Sequence, residues 1–295
     1  MKYTVIYHKN CLDGFMSLVI CKKFMKNITP LPDVPSAISI PDVKNKDILI
    51  VDVAYKPEII KEIIKLAKSV VMIDHHITHH EEISNIKDLK FNYIYSADHQ
   101  SAALLTWNYF SKENPPIAVE YISDNDTGTW KYKETLNFIS ALNVKYPIDE
   151  KNIKKWFKLF TATEVKKLVI KGRAYVEYND YLTESKSNHY ATMKFPSEEI
   201  LKIYPKLAKS ANMYTIAIHN GSCPTTTLLG NFILKKTKCD ICFIYTYNII
   251  DDIYIISMRS KNVDVSNIAK QFGGGGHQEA AAFKYSGQLH FIFSK

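Results

Sequence analysis

The sequence predicts an α/β protein. Its N-terminal part is a mostly parallel sheet with helices on both faces; a long connecting helix and a smaller C-terminal α/β domain with a mixed sheet follow. Three observations predict this. Short apolar runs alternate with helical patterns up to about residue 110, the rhythm of parallel strands joined by crossover helices. Residues 115–186 carry helical patterning with few strand signals. Strand character then returns, interrupted by two shorter helices. The limits that follow are 1–165 for the first domain, 166–190 for the connecting helix and 191–295 for the second domain.

The elements follow in order. Tyr3-Thr4-Val5-Ile6-Tyr7 reads as a strand and leads to a helix from about Asp13 to Met25. Residues 30–42 contain several prolines and read as irregular. Ile48–Asp52 is the next strand. Pro57 stands where a helix N-terminus is expected, and apolar residues recur at 59, 60, 63, 64 and 67. Val70–Ile73 and Phe91–Tyr95 are further strands. Ser101 suits a helix cap, with the helix running to about Phe110. Helices are expected near 116–123, 134–143, 150–160 and 162–186, and 187–210 carries no clear pattern. Strands at 213–218, 241–247 and 253–258 follow, with a helix from about Thr225 to Lys235 and a short one at 265–272.

Composition narrows the class. Hydrophobic residues make up 46% of the 295, enough for a substantial core. The chain has 38 Lys and Arg against 30 Asp and Glu, a net charge of +8. That excess favours anionic partners, nucleotides first, although scattered lysines also simply solvate helix faces. Five cysteines at irregular spacing do not make a disulfide framework. Cys239-Asp240-Ile241-Cys242 has the C-x-x-C spacing but no second pair, and reads as buried strand thiols. Met1-Lys2-Tyr3 leads straight into a strand with no secretory pattern, and no apolar stretch reaches the roughly 18 residues of a membrane span. The expectation is a soluble, cytoplasmic protein with no membrane partner.

The chemistry-bearing residues sit at strand ends. The first strand runs into His8 and then Asp13, the second into Asp52, and the third into Asp74-His75-His76. Three parallel strands ending in Asp or His deliver those groups to one rim of an open sheet. Carboxylate with neutral imidazole suits borderline divalent ions, so a metal-dependent hydrolase of phosphate esters is expected. Asp13 reads equally well as a helix cap. His79 and His80 lie in a polar stretch and read as surface residues. Asp124-Asn125-Asp126, at a helix end, reads as turn chemistry or as a further carboxylate for a two-metal centre. In the second half, Arg259-Ser260 closes a strand, and Gly273–Gly276 followed by His277 brings backbone N–H groups within reach of an anion. A flexible hinge is the other use of such a run, but its apolar flanks are unlike a linker.

Together these motifs resemble the DHH phosphoesterase superfamily, in the branch with a DHH-associated C-terminal domain. The motifs are His8…Cys11-Leu12-Asp13-Gly14, Val51-Asp52, Asp74-His75-His76, Asp124-Asn125-Asp126, and Arg259-Ser260 with Gly273–His277, in the family order over nearly the whole chain. The nearest resemblance is to the nano-RNase or oligoribonuclease-like group. It implies two divalent cations, Mn²⁺ by preference, in a cleft between domains. His8, Asp13, Asp52 and His75 would hold them, with Asp52 bridging. Asp124 or Asp126 would complete the set, Asp124 being favoured because it follows the helix directly.

The resemblance also implies that His76 faces the phosphate and that Asp74 orients the histidines. Arg259, Ser260, Gly274, Gly275, Gly276 and His277 would bind substrate. The implied activity is 3′–5′ removal of nucleotides from short oligonucleotides, with 3′-phosphoadenosine 5′-phosphate as a further substrate. A cyclic-dinucleotide phosphodiesterase and a catalytically silent nucleotide-binding protein are the alternatives. The oligomeric state is left open, a homodimer included. Two positions depart from the family pattern. Cys11 stands where many relatives carry Asp, and a thiolate prefers softer ions. Ala282 stands where relatives often carry Gly.

Overall fold

Apolar runs of five and six residues build the first sheet. β1 (Tyr3–His8), β2 (Ile28–Asp33), β3 (Asp47–Val51), β4 (Ser69–Asp74) and β5 (Phe91–Tyr95) lie in the order β2-β1-β3-β4-β5, every pair parallel. The computed structural model describes residues 2–35, 39–96, 98, 100–210, 213–221 and 226–293, without the side chains of Lys209, Ser210, His277 and Phe291. All five residues of the central strand β3 are buried. A parallel strand covered on both faces requires such a continuous apolar run.

Alternate residues feed two cores. Val5, Leu49, Val51 and Ile73 face α1 (Leu12–Phe24) and its neighbours, through Phe15, Leu18 and Val19. Ile6, Ile48, Ile50, Val70 and Met72 face α2 (Pro57–Leu66), through Ile60, Ile63 and Ile64, and the one-turn α3 (His80–Ser84), through Ile83. Pro57 occupies the start of α2 as expected. α4 (Ala102–Phe110) is capped by Ser101, whose hydroxyl accepts the Leu104 N–H. α5 (Ile117–Asp126), α6 (Thr135–Lys145) and α7 (Ile153–Trp156, between two 3₁₀ turns) add Val119, Ile122, Phe138 and Trp156 to the first core. α8 follows over Ala162–Lys186.

The expectation of an irregular stretch from residue 30 is corrected by β2. Pro30 and Pro32 lack N–H donors, but β2 is an edge strand, where a missing donor costs little.

The chain divides into two compact units, Met1–Val176 and Glu177–Lys295, the division falling within α8. The second unit is a six-stranded sheet: β6 (Ala191–Phe195), β7 (Tyr214–Asn220), β8 (Ile241–Asn248), β9 (Ile253–Ser260), β10 (Gly275–His277) and β11 (Ala280–Tyr285). Their order is β10-β11-β9-β8-β7-β6, with β7–β8 parallel and the other pairs antiparallel. α9 (Glu198–Ile203) precedes β7, and α11 (Val265–Gln271) packs Val265 and Ile268 on Phe243, Ile256 and Met258. α10 (Thr226–Lys236) covers the other face, with Leu229, Ile233 and Leu234 on Ala217, Cys242 and Ile244. Thr225, the expected start of α10, and Cys223 lie outside the described residues. Cys242 is buried on β8, and Cys239 precedes that strand. Among the described residues no helix is long and apolar enough to cross a membrane.

Candidate metal centre

Parallel register aligns the strand ends. Tyr7 pairs with Val51 and Val51 with Ile73, so His8, Asp52 and Asp74 occupy the same rim in adjacent rows. α1 starts immediately behind this rim. Gly14 is what allows it: a Cβ there would stand 2.7 Å from the His8 carbonyl oxygen.

Asp13, in the first turn of α1, is fully buried. Its carboxylate accepts the Ala102 N–H at 2.8 Å and the Ala103 N–H at 3.0 Å, two of the free donors at the start of α4. It therefore does not cap its own helix. Nothing in the sequence marks these two alanines as partners of Asp13; only Ser101, the cap before them, was a signal.

Asp52 is 1% exposed and holds a left-handed backbone, φ +62°. Its two oxygens face different neighbours. Oδ2 is 3.4 Å from His8 Nδ1, and Oδ1 is 3.5 Å from His75 Nε2. His75 Nε2 is also 3.2 Å from Asp126 Oδ2 and 3.9 Å from Asp13 Oδ2. Three groups have donor atoms within 4.8 Å of one another: His8, Cys11 and Asp52; Asp13, His75 and Asp126; and Asp52, Asp74, His75 and His76. Asp74 turns inward, its Oδ1 accepting the His75 N–H at 2.9 Å and lying 2.7 Å from His76 Nδ1.

The charges are strongly coupled. Burial, then the charges of Asp52 and Asp126, push the Asp13 carboxyl well above the usual carboxylate range. Burial and Asp52 likewise raise Asp126. Burial alone would raise Asp52 too, but the imidazoles of His75 and His8 outweigh it and hold that carboxyl at about 2. Burial disfavours the His75 cation, yet Asp52, Asp13 and Asp126 lift it to about 9. His76 is raised in the same way, Asp74 overcoming burial.

Asp52 Oδ2 and His75 Nε2 are buried and have no hydrogen-bond partner. Orphaned polar atoms are costly away from water, and here an acceptor and a ring nitrogen are orphaned side by side among carboxylates. A divalent cation satisfies both, so these residues fit the group that the motifs imply.

Asp124 departs from the favoured expectation. Its Oδ1 accepts the Lys131 N–H at 2.6 Å, and its Oδ2 accepts the Tyr132 N–H at 3.2 Å and the Thr135 hydroxyl. Its carboxylate ties down the turn after α5, and Asp126 is the one that reaches His75. His80 is not a free surface ring either: it stacks on Tyr95 with centroids 3.6 Å apart.

In the second unit, Arg259 donates through Nη1 to the Met258 carbonyl at 2.7 Å and through Nη2 to Thr227 Oγ1 at 2.8 Å, while Nε is buried without a partner. The Ser260 hydroxyl donates to the Asp240 carbonyl and accepts the Asn262 and Val263 N–H groups, so it is committed to a turn. The glycine run is less open than the anion cradle expected. The Gly273 and Gly274 N–H groups close α11 on Lys270 and Ala269. Gly275, Gly276 and His277 form β10 against Ala282, Ala281 and Ala280. The His277 side chain lies outside the described residues.

A parallel sheet whose rim carries a carboxylate–imidazole cluster is followed in the chain by a mixed-sheet unit. Residues 228–291 match the DHHA1 domain family. Over 96% of its length the chain is 29% identical to uncharacterized protein R106 of Acanthamoeba polyphaga mimivirus, of which it spans 67%. The pGpG-specific phosphodiesterase PggH of Vibrio cholerae superposes with a TM-score of 0.52 at 12% identity, covering 97% of this chain and 93% of that one. The chain is thus similar to the DHHA1 family over residues 228–291 and to a phosphodiesterase in fold.

Proposed function

We propose that the chain is a metal-dependent phosphodiesterase that releases nucleotides from one end of short oligonucleotides. The observation that carries this is the convergence of Asp13, Asp52, His75 and Asp126 from separate elements, with two buried donor atoms left unpartnered. His8, Asp13, Asp52, His75 and Asp126 would hold two divalent cations, of which Mn²⁺ suits the nitrogen and oxygen donors. When bound, such ions supply a hydroxide at neutral pH and neutralise charge on a phosphoryl group.

The protein's own groups do the rest. Asp74 fixes the orientation of His76, whose side chain is 34% exposed and thus open to substrate. Its raised pKa favours the cation, which donates a hydrogen bond to a phosphoryl oxygen. Within the second unit, Arg259, held by Met258 and Thr227, is a pre-oriented cation suited to an anionic group. The net charge of +8 favours anionic substrates. PggH acts on pGpG, which makes a dinucleotide the first substrate to try; 3′-phosphoadenosine 5′-phosphate is the second.

The test is a Mn²⁺ assay of the wild-type chain and Asp52→Asn on di- to pentanucleotides, a cyclic dinucleotide and 3′-phosphoadenosine 5′-phosphate. Mononucleotide release from the linear substrates is expected. Asp52→Asn should reduce it beyond the roughly 10–100-fold typical of outer groups around a metal. Tight binding of nucleotide without any release would make the protein a silent binder and overturn the proposal.

A further inference from the structure

We propose that Cys11 is a metal ligand, so that the two halves of the centre differ in chemistry. His8, Cys11 and Asp52 form a nitrogen–sulfur–oxygen subsite; Asp13, His75 and Asp126 form one of nitrogen and oxygen alone. The inference rests on the metal centre proposed above and adds which ion each half selects.

Cys11 occupies the N-cap of α1 with extended backbone, φ −108° and ψ 136°. Ser, Thr, Asp and Asn are favoured there because their oxygens accept a first-turn N–H. Cys11 makes no cap bond of that kind, and sulfur is a weak acceptor in any case. Its sulfur, a nitrogen of His8 and an oxygen of Asp52 all lie within 4.8 Å of one another. The independent observation is Asp52 Oδ2. It belongs to a side chain only 2% exposed, lies on the His8 side of the carboxylate, and has no hydrogen-bond partner. An orphaned carboxylate oxygen flanked by imidazole and sulfur is the donor set of a borderline or soft divalent ion.

When an ion binds, the Cys11 S–H bond breaks, its proton leaves to solvent, and a sulfur–metal bond takes its place. A thiolate favours Zn²⁺, Co²⁺ or Cd²⁺ over Mn²⁺, whereas the other subsite retains the preference of carboxylate and imidazole. Mixed occupancy follows, with a thiophilic ion beside His8 and a harder one beside Asp126.

The test is Co²⁺ titration of the full chain, followed by absorbance and bound-metal analysis. The wild type is expected to show visible bands of bound Co²⁺ and a near-ultraviolet sulfur-to-cobalt charge-transfer band. Cys11→Ser should lose only the charge-transfer band, Cys11→Asp should bind two ions without it, and Cys239→Ser should match the wild type. Cys11→Asp should also weaken Cd²⁺ binding by about tenfold or more while Mn²⁺ binding holds. Cadmium NMR of the wild-type chain, where thiolate ligation shifts the resonance far downfield, gives a reading that needs no variant. Bound Co²⁺ with no charge-transfer band, or the same band in Cys11→Ser, would overturn the role of Cys11 alone. Failure of Co²⁺ and Mn²⁺ to bind at all would overturn the centre itself.

Discussion

His75 stands among three carboxylates and is held as a cation up to about pH 9. A metal-bound imidazole must be neutral, so an ion entering this group has to expel a proton. Near pH 7 the sign is therefore release, and raised Asp13 adds to it rather than cancelling it. Mn²⁺ titrations in buffers of differing ionisation enthalpy should show net proton release that shrinks as pH rises past 9; proton uptake or pH-independent binding would contradict the arrangement. The positions of Asp52 and His75 at strand ends were legible because four apolar residues followed by a polar one leave little doubt where a buried strand stops. The choice between Asp124 and Asp126 was not. Two residues on a helix differ by about 200° in direction, and sequence does not reveal which one faces the rim. Asp124 is instead turned to Lys131, Tyr132 and Thr135, none of which carries a local signal.

At the level of elements, the long and strongly patterned segments were readable: β1, β3, β4, α2 and the 25-residue α8. β2 was hidden by its prolines and by its place at an edge. β10 and β11 were hidden by composition, since Gly and Ala are poor strand formers whose pairing is dictated by neighbours. Those small residues have a packing reason. A Cβ on Gly274 would lie 2.2 Å from the Ala282 carbonyl oxygen and 2.6 Å from Phe283 Cβ, whereas one on Gly275 would meet nothing within 4 Å. Gly274→Ala should thus destabilise the chain by about 1–3 kcal/mol. Gly275→Ala should stay within about 0.5 kcal/mol of wild type. Denaturant unfolding monitored on the second unit separates them; equal effects would mean that the glycine run serves something other than close approach to β11.

For the whole molecule, the proposed centre sets activity against stability. Asp126 has its pKa raised by burial and by Asp52. A carboxyl raised in the folded state favours folding below its unfolded pKa, and that contribution is lost as pH rises through the folded value. At neutral pH the metal-free fold therefore carries unrelieved repulsion, which a bound cation removes. Asp126→Asn should raise the melting temperature of chelated protein at pH 7 while removing most of the further rise that Mn²⁺ gives the wild type. An unchanged Mn²⁺ response in that variant would exclude Asp126 from the ion.

The left-handed backbone at Asp52 sharpens this point. Gly, Asn and Asp enter that conformation most readily, so the main chain favours those three side chains. Of the three, only Asp carries a negative charge to place between His8 and His75. Two unrelated demands, one steric and one electrostatic, thus intersect on a single amino acid, and Asn is the replacement that tests the second without disturbing the first.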